Sequence, residues 1–225
     1  MSRSLAIIIP TLNEESSLAA TLGALPAGVE VVVVDGGSRD ATQAIAAGHG
    51  ARLLVTEPGR ATQMNWGARH ASGEILLFLH ADTLLPAGAL EEVEWCLDGK
   101  GVVAGAFRLQ LVGDTKGLGL VSWGANLRSR LLQLPYGDQA LFMGRQVFVE
   151  LGGFPEGALL EDYRLVSALR RQGRIVLADR YVLSSGRKWQ RQGLIRTTLV
   201  NQLIVAGFLL GLSPQLLARF YGVRK

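Results

Sequence analysis

The chain of 225 residues predicts an α/β fold: one domain on a mostly parallel, doubly wound sheet flanked by helices. Three observations carry that reading. Short apolar runs rich in Val and Ile alternate with helix-length segments, an order that calls for parallel strands joined by right-handed crossovers. The runs lack the every-other-residue polarity of a half-exposed strand, so both sheet faces are covered. Polar and acidic residues follow the ends of these runs, where open parallel sheets bind their ligands.

Leu5–Pro10 is the first strand, a β-branched run too short for the apolar core of a targeting peptide. A helix is expected over Glu14–Leu25, with Leu18, Thr21, Leu22 and Leu25 on one face. Val31–Val34 is the second strand and ends in Asp35-Gly36-Gly37-Ser38. Ser38 is expected to cap the next helix, with Asp40 in its first turn. Arg52–Thr56 and Ile75–Leu79 read as strands on either side of a helix at Arg60–Ala71, and the latter runs into His80-Ala81-Asp82. Further on, Val102–Leu111 reads as a long strand, Leu118–Leu132 as a helix, Glu161–Arg171 as a helix and Ile175–Ala178 as a last strand. No internal repeat or low-complexity linker divides the chain. Residues 1–193 are assigned to the main domain and 194–225 to a helical extension packed on it.

Composition narrows the function. With 48% hydrophobic and 19% charged residues the chain buries a core and is not disordered. A net charge of +4, scattered and without an RNA-binding motif, argues against nucleic acid and suits a handler of phosphates or a neighbour of anionic membranes. Cys96 is the single cysteine and lies in an apolar helical pattern, which suggests a core position and a reducing, cytoplasmic location, free or at the inner membrane face. In the apolar stretch Leu194–Leu212 the uninterrupted part, Leu203–Leu212, is about half a bilayer span. A core or dimer helix and an interfacial membrane helix flanked by Arg196 and Arg219 both remain open.

No Gly-x-Gly-x-x-Gly follows the first strand and no phosphate-binding Gly-x-x-x-x-Gly-Lys-Ser/Thr occurs, which removes the usual support for dinucleotide redox and P-loop chemistry. Acids gather instead at element ends: Asp35, Asp82 and Glu161-Asp162. Such hard oxygen ligands suit Mg²⁺ or Mn²⁺ held jointly with a substrate phosphate.

Ile9-Pro10-Thr11-Leu12-Asn13-Glu14-Glu15, Val33-Val34-Asp35-Gly36-Gly37-Ser38-Arg39-Asp40, Leu79-His80-Ala81-Asp82-Thr83 and Leu160-Glu161-Asp162 resemble, in order, the motifs of family-2 glycosyltransferases. Gly59–Asn65, Gly105–Arg108 and Tyr136–Phe142 resemble a compact bacterial subgroup. The resemblance implies a GT-A fold and transfer of a sugar from a nucleoside-diphosphate sugar to an acceptor hydroxyl that the sequence does not identify. It implies that Pro10, Thr11, Asn13 and Glu14 line the nucleotide, that Asp35 contacts base or ribose, and that Arg60, Asn65 and Ala81 face the nucleotide-sugar. Asp138 and Gln139 would contact donor or acceptor, and Arg187 and Trp189 the donor phosphates or the acceptor. Asp82 matches the last acid of the family's Asp-x-Asp and would bind Mn²⁺ or Mg²⁺, with His80 in place of the first acid as a second candidate ligand. Asp162 matches the general base, with Glu161 beside it, and a single displacement would invert the anomeric centre. The departures at His80 and Gly36 keep two rivals in play: a sugar-phosphate nucleotidyltransferase and a non-catalytic nucleotide-sugar-binding protein.

Overall fold

The structure, a computed structural model, describes residues 3–157, 159–212 and 216–217, and for Leu209 the backbone alone. Part of the expected C-terminal extension, with Arg219, lies outside the described residues. In chain order the elements are β1 (Leu5–Thr11), α1 (Leu18–Gly23), β2 (Glu30–Asp35), α2 (Thr42–Gly48), β3 (Arg52–Val55), α3 (Arg60–His70), β4 (Ile75–Phe78), β5 (Thr83–Leu84), α4 (Ala89–Leu97) and β6 (Val102–Val112). They continue with α5 (Leu118–Leu132), β7 (Phe142–Gly144), α6 (Arg145–Glu150), α7 (Glu161–Gln172), β8 (Arg174–Ser185), α8 (Arg187–Gln192) and α9 (Leu194–Leu209).

The strands form one sheet in the order β3-β2-β1-β4-β7-β6-β8-β5. β3, β2, β1 and β4 are parallel, β7 is antiparallel to both β4 and β6, and β6 and β8 are again parallel. Alternate residues of each strand enter separate cores. Ile7, Ile9, Val33, Ile75 and Leu77 pack with Leu18, Val93 and Leu118 from α1, α4 and α5. Ala6, Ile8, Val32, Val34, Leu76 and Phe78 pack with Met64, Phe148 and Leu165 from α3, α6 and α7. Such double burial explains why the sequence shows continuous apolar runs. On the second face α3 lies very close to the sheet: a methyl on Gly67 would stand 2.6 Å from Ile8 Cγ2 and 2.9 Å from Val34 Cγ2.

Three expectations for individual elements need correction. The helix expected from Glu14 begins only at Leu18, because Glu14–Ser17 form a turn in which Glu14 O accepts from the N–H groups of Ser17 and Leu18. Ser38 does not cap α2; it bonds Asp35, and Asp40 instead receives the Thr42 N–H at the helix start. The last strand runs to Ser185 rather than Ala178, since Asp179 and Arg180 are accommodated within it by pairing with Arg108 and Glu92. Cys96 is buried as expected, and burial, with Glu92 and Asp179, pushes its thiol up to about 11, leaving it unreactive.

The strand order reverses at β1, which has β2 on one side and β4 on the other. At such a switch point the connecting loops part and leave a crevice at the carboxyl ends. Residues 12–17 leave β1 there and His80-Ala81-Asp82 leave β4.

Candidate active site

A cavity of about 610 Å³ opens at this crevice. β1 and β4 lead Pro10, Glu14, His80, Ala81 and Asp82 into it, the 136–138 loop adds Tyr136, Gly137 and Asp138, and α7 adds Glu161 and Asp162. Arg60 at the start of α3 and Trp189 of α8 complete the expected residues on its wall. Asp82 and Asp162, 80 positions apart in the chain, therefore face one space.

Glu14 and Asp82 are bridged by a single guanidinium. Arg187 Nη2 lies 2.9 Å from Glu14 Oε2 and 3.2 Å from Asp82 Oδ2, and Nη1 donates to Ser16 Oγ at 2.8 Å. Arg187 itself is not on the cavity wall; it acts through the two acids that are. Although its partial burial disfavours the charge, both carboxylates hold it protonated. With two carboxylates to one guanidinium the cluster is net negative, which favours a cation at the loops where a phosphate ligand of this fold would lie.

The lining around Asp162 is acidic. Asp162 Oδ2 accepts the Gly137 N–H at 3.1 Å, while Oδ1 is sealed from solvent without a hydrogen-bond partner. Burial, and then the nearby charges of Glu161 and Asp138, push the Asp162 carboxyl up to about 7 against the pull of Arg60. Asp138 is also raised by burial, partly offset by Arg128 and Arg60, and its Oδ1 too is without a partner. Glu161 sits 3.9 Å from Arg60. Leu160, just before these acids, has a left-handed backbone at φ 64°, which costs a leucine about 1–2 kcal/mol. Gly137 is equally constrained: a Cβ there would collide with the Asp162 carboxylate. A buried carboxyl titrating near neutrality beside a cavity is suited to accept a proton.

His80 joins this wall with a buried Nε2 that has no partner, and burial, reinforced by Arg60, drives its pKa well below the usual value. It is therefore a neutral imidazole. Among the described residues no three His, Cys, Asp or Glu side chains form a ready metal cage. The donor set fits instead a cation that takes most of its ligands from substrate phosphate, with Asp82 as the carboxylate.

Several residues singled out from the sequence lie elsewhere. Asp35 is fully buried and spent on its own loop, accepting from the N–H groups of Gly37 and Ser38, from Ser38 Oγ, from Gln43 and from Thr11. Burial alone would raise its pKa, but these bonds outweigh it and keep the carboxyl ionised below the ordinary range. A base contact through Asp35 would require that network to open. Thr11 is buried against it, and Asn13 is turned to Ser38 and Arg39. Asn65 clasps the backbone of Phe154 with two bonds of 2.8 Å, away from the cavity. Gln139 is a buried post between strands and helices, donating to Phe107 O and accepting from Ser129, Arg128 and the Tyr136 N–H.

Sequence reasoning missed part of the cavity wall. Ser184 and Ser185 at the end of β8, and Asn201, Ile204 and Val205 of α9, also line the cavity. The pair of serines before Gly186 was a legible sign of a strand end; nothing in the pattern of α9 distinguished its cavity side.

The chain was compared with known proteins. The family model described as glycosyl transferase family 2 matches residues 6–139. An uncharacterized glycosyltransferase of Mycobacterium bovis is 39% identical over 104 residues, covering 45% of this chain and 48% of the relative. A second, from Mycobacterium tuberculosis, is 34% identical over 137 residues, covering 56% and 51% respectively. The chain thus spans about half the length of the curated relatives it matches. Among solved structures, a mannosyltransferase from Pyrobaculum calidifontis in complex with GDP-Man and Mn²⁺ superposes with a TM-score of 0.63 at 24% identity, over 82% of this chain and 57% of that one. S. aureus TarS in complex with UDP-GlcNAc gives 0.64 at 21% identity, over 81% and 58%.

Proposed function

Because the chain belongs to glycosyltransferase family 2, we propose that it transfers a sugar from a nucleoside-diphosphate sugar to an acceptor hydroxyl, with inversion and with Asp162 as general base. The observation that carries this reading is that Asp82 and Asp162 share one cavity at the sheet's switch point. The similar folds of the mannosyltransferase bound to GDP-Man and of TarS bound to UDP-GlcNAc support a nucleotide-sugar donor, and their different bases leave the base open.

The chemistry asks for two functions in one cavity. The acceptor hydroxyl is a poor nucleophile until its proton is taken. Asp162, above a pKa of about 7, takes it as the acceptor oxygen bonds the anomeric carbon and the bond to the nucleoside diphosphate breaks. Gly137 N–H fixes one carboxylate oxygen, and the other has no hydrogen-bond partner within the protein. The leaving diphosphate gathers negative charge. Arg60 supplies a guanidinium on the cavity wall, while Arg187, neutralised by Glu14 and Asp82, holds those two acids in place. Asp82 would hold Mn²⁺ or Mg²⁺ together with the diphosphate, with neutral His80 as a possible nitrogen ligand for Mn²⁺. Such an ion, when bound, neutralises leaving-group charge.

A thermal-shift screen of nucleoside diphosphates, each with Mn²⁺, Mg²⁺ or chelator, tests the binding half, because a specific ligand stabilises the native state by mass action. Hydrolysis or transfer assays with the matching sugar then test turnover. Wild-type rates in both Asp82→Ala and Asp162→Ala would overturn the assignment.

A further inference from the structure

Two helices that begin side by side each bury one face and leave an apolar stripe on the other. On α5, Leu118, Ser122 and Ser129 are buried against the body, while Leu120, Trp123, Leu127 and Leu131 point to solvent. On α9, Thr197 and Ile204 are buried and Asn201 and Val205 line the cavity, while Ile195, Leu199 and Leu203 point away. Exposures of 57% at Leu199 to 73% at Ile195 are far above what a core stripe shows. The helix starts are joined where Gly117 meets the Leu194 side chain and Gly186 meets Leu118. Exposed apolar stripes of this length on neighbouring helices mark a docking surface rather than scattered surface residues.

Charge selects the occupant. No Asp or Glu follows Asp179 in the chain, whereas Arg191 and Arg196 flank the start of α9. Between Asp114 and Asp138 there is likewise no acid, and Lys116, Arg128 and Arg130 are present. Arg191 and Arg196 are exposed. A two-fold contact with a second copy would bring such cations toward their own kind, with no acid within either segment to pair them. An anionic bilayer offers both a negative headgroup layer and an apolar layer beneath it. Among the described residues no helix is long and apolar enough to cross a membrane, which leaves the helices lying on the surface.

We propose that the outer faces of α5 and α9 dock the protein on an anionic lipid surface, with Arg191 and Arg196 on the headgroups and the two leucine-rich stripes in the interface. This stands independently of the proposed transferase activity. Because the inner face of α9 lines the cavity, docking also sets the cavity one helix away from the lipid.

The test is co-sedimentation of the full chain with vesicles of phosphatidylcholine alone and with phosphatidylglycerol added, together with tryptophan emission. Binding to the anionic vesicles that weakens with salt is expected, with a blue shift that Trp123→Phe diminishes. Arg191→Gln/Arg196→Gln should weaken binding by about 25-fold, about fivefold for each charge. Leu199→Ser/Leu203→Ser, both on the exposed side and therefore compatible with folding, should weaken it about tenfold or more. Circular dichroism confirms that each variant is folded. Equal binding by the leucine variant and wild type, no binding to anionic vesicles, or a salt-resistant dimer whose formation the leucine variant abolishes would each overturn the proposal.

Discussion

Asp162→Asn separates the two consequences of burying this carboxyl, because it should make the protein both more stable and inactive. In the unfolded chain the group ionises near 3.8 and in the folded protein near 7. Between those values the folded state keeps a proton that the unfolded chain has given up. Native stability therefore falls as pH rises from about 4 to about 7 and stays lower above. At full strength a displacement of this size corresponds to roughly 4 kcal/mol. Asparagine retains the shape and can still accept the Gly137 N–H, but never carries the charge. Urea unfolding should show the variant more stable than wild type by up to about 4 kcal/mol at pH 8.5, with less than half of that gain at pH 5. Turnover should fall about 10²–10⁴-fold, the usual contribution of a general base, and wild-type kcat/KM should rise to a plateau above about pH 7. A variant that loses stability at pH 8.5, gains equally at both pH values, or keeps wild-type turnover would refute the reasoning.

Three further outcomes follow from the same contacts. Gly137→Ala puts a methyl on the Asp162 carboxylate and should lower kcat about tenfold or more with a fold intact by circular dichroism; unchanged kcat would show that the carboxylate can move without consequence. Asp82→Ala should remove the extra thermal stabilisation that Mn²⁺ adds to a bound nucleoside diphosphate, and the metal-free shift should survive. Arg145→Ala should cost about 2–3 kcal/mol in urea unfolding with little change in KM, since this guanidinium bonds Gly73 O, Ala68 O and Ala71 O around the end of α3, far from the cavity.

What could be read from the sequence follows from how local each signal is. β1, β2 and β4 are visible because both their faces are buried and every residue of each run is apolar. β8 is cut short in the reading because Asp179 and Arg180 look like a turn, whereas a strand with a free outward face can carry charges there. β5 is only two residues long and is held by pairing to β8, with Thr83 Oγ1 donating to Ser184 Oγ at 2.9 Å, a partner 101 positions away. The fold class survives such losses because the alternation of the first half already determines the sheet and its switch point.

The site divides along the same line. Acids at strand ends can be found one at a time, and so Asp82 and Asp162 are legible. Whether a polar residue faces a cavity or braces the backbone depends on distant partners, and no local pattern tells Asp138, on the wall, from Gln139, locked beneath it. Asn65 and Asp35 look like ligand contacts for the same reason, yet Asn65 is satisfied by Phe154, 89 positions on, and Asp35 by the loop that it closes. Such polar posts still serve the chemistry. Gln139 anchors the turn that aims the Gly137 N–H at Asp162, so the proposed base is held by a residue that never reaches the cavity. Replacing Gln139 should therefore disturb the pH dependence of turnover as well as stability, an effect that a purely structural post would not produce.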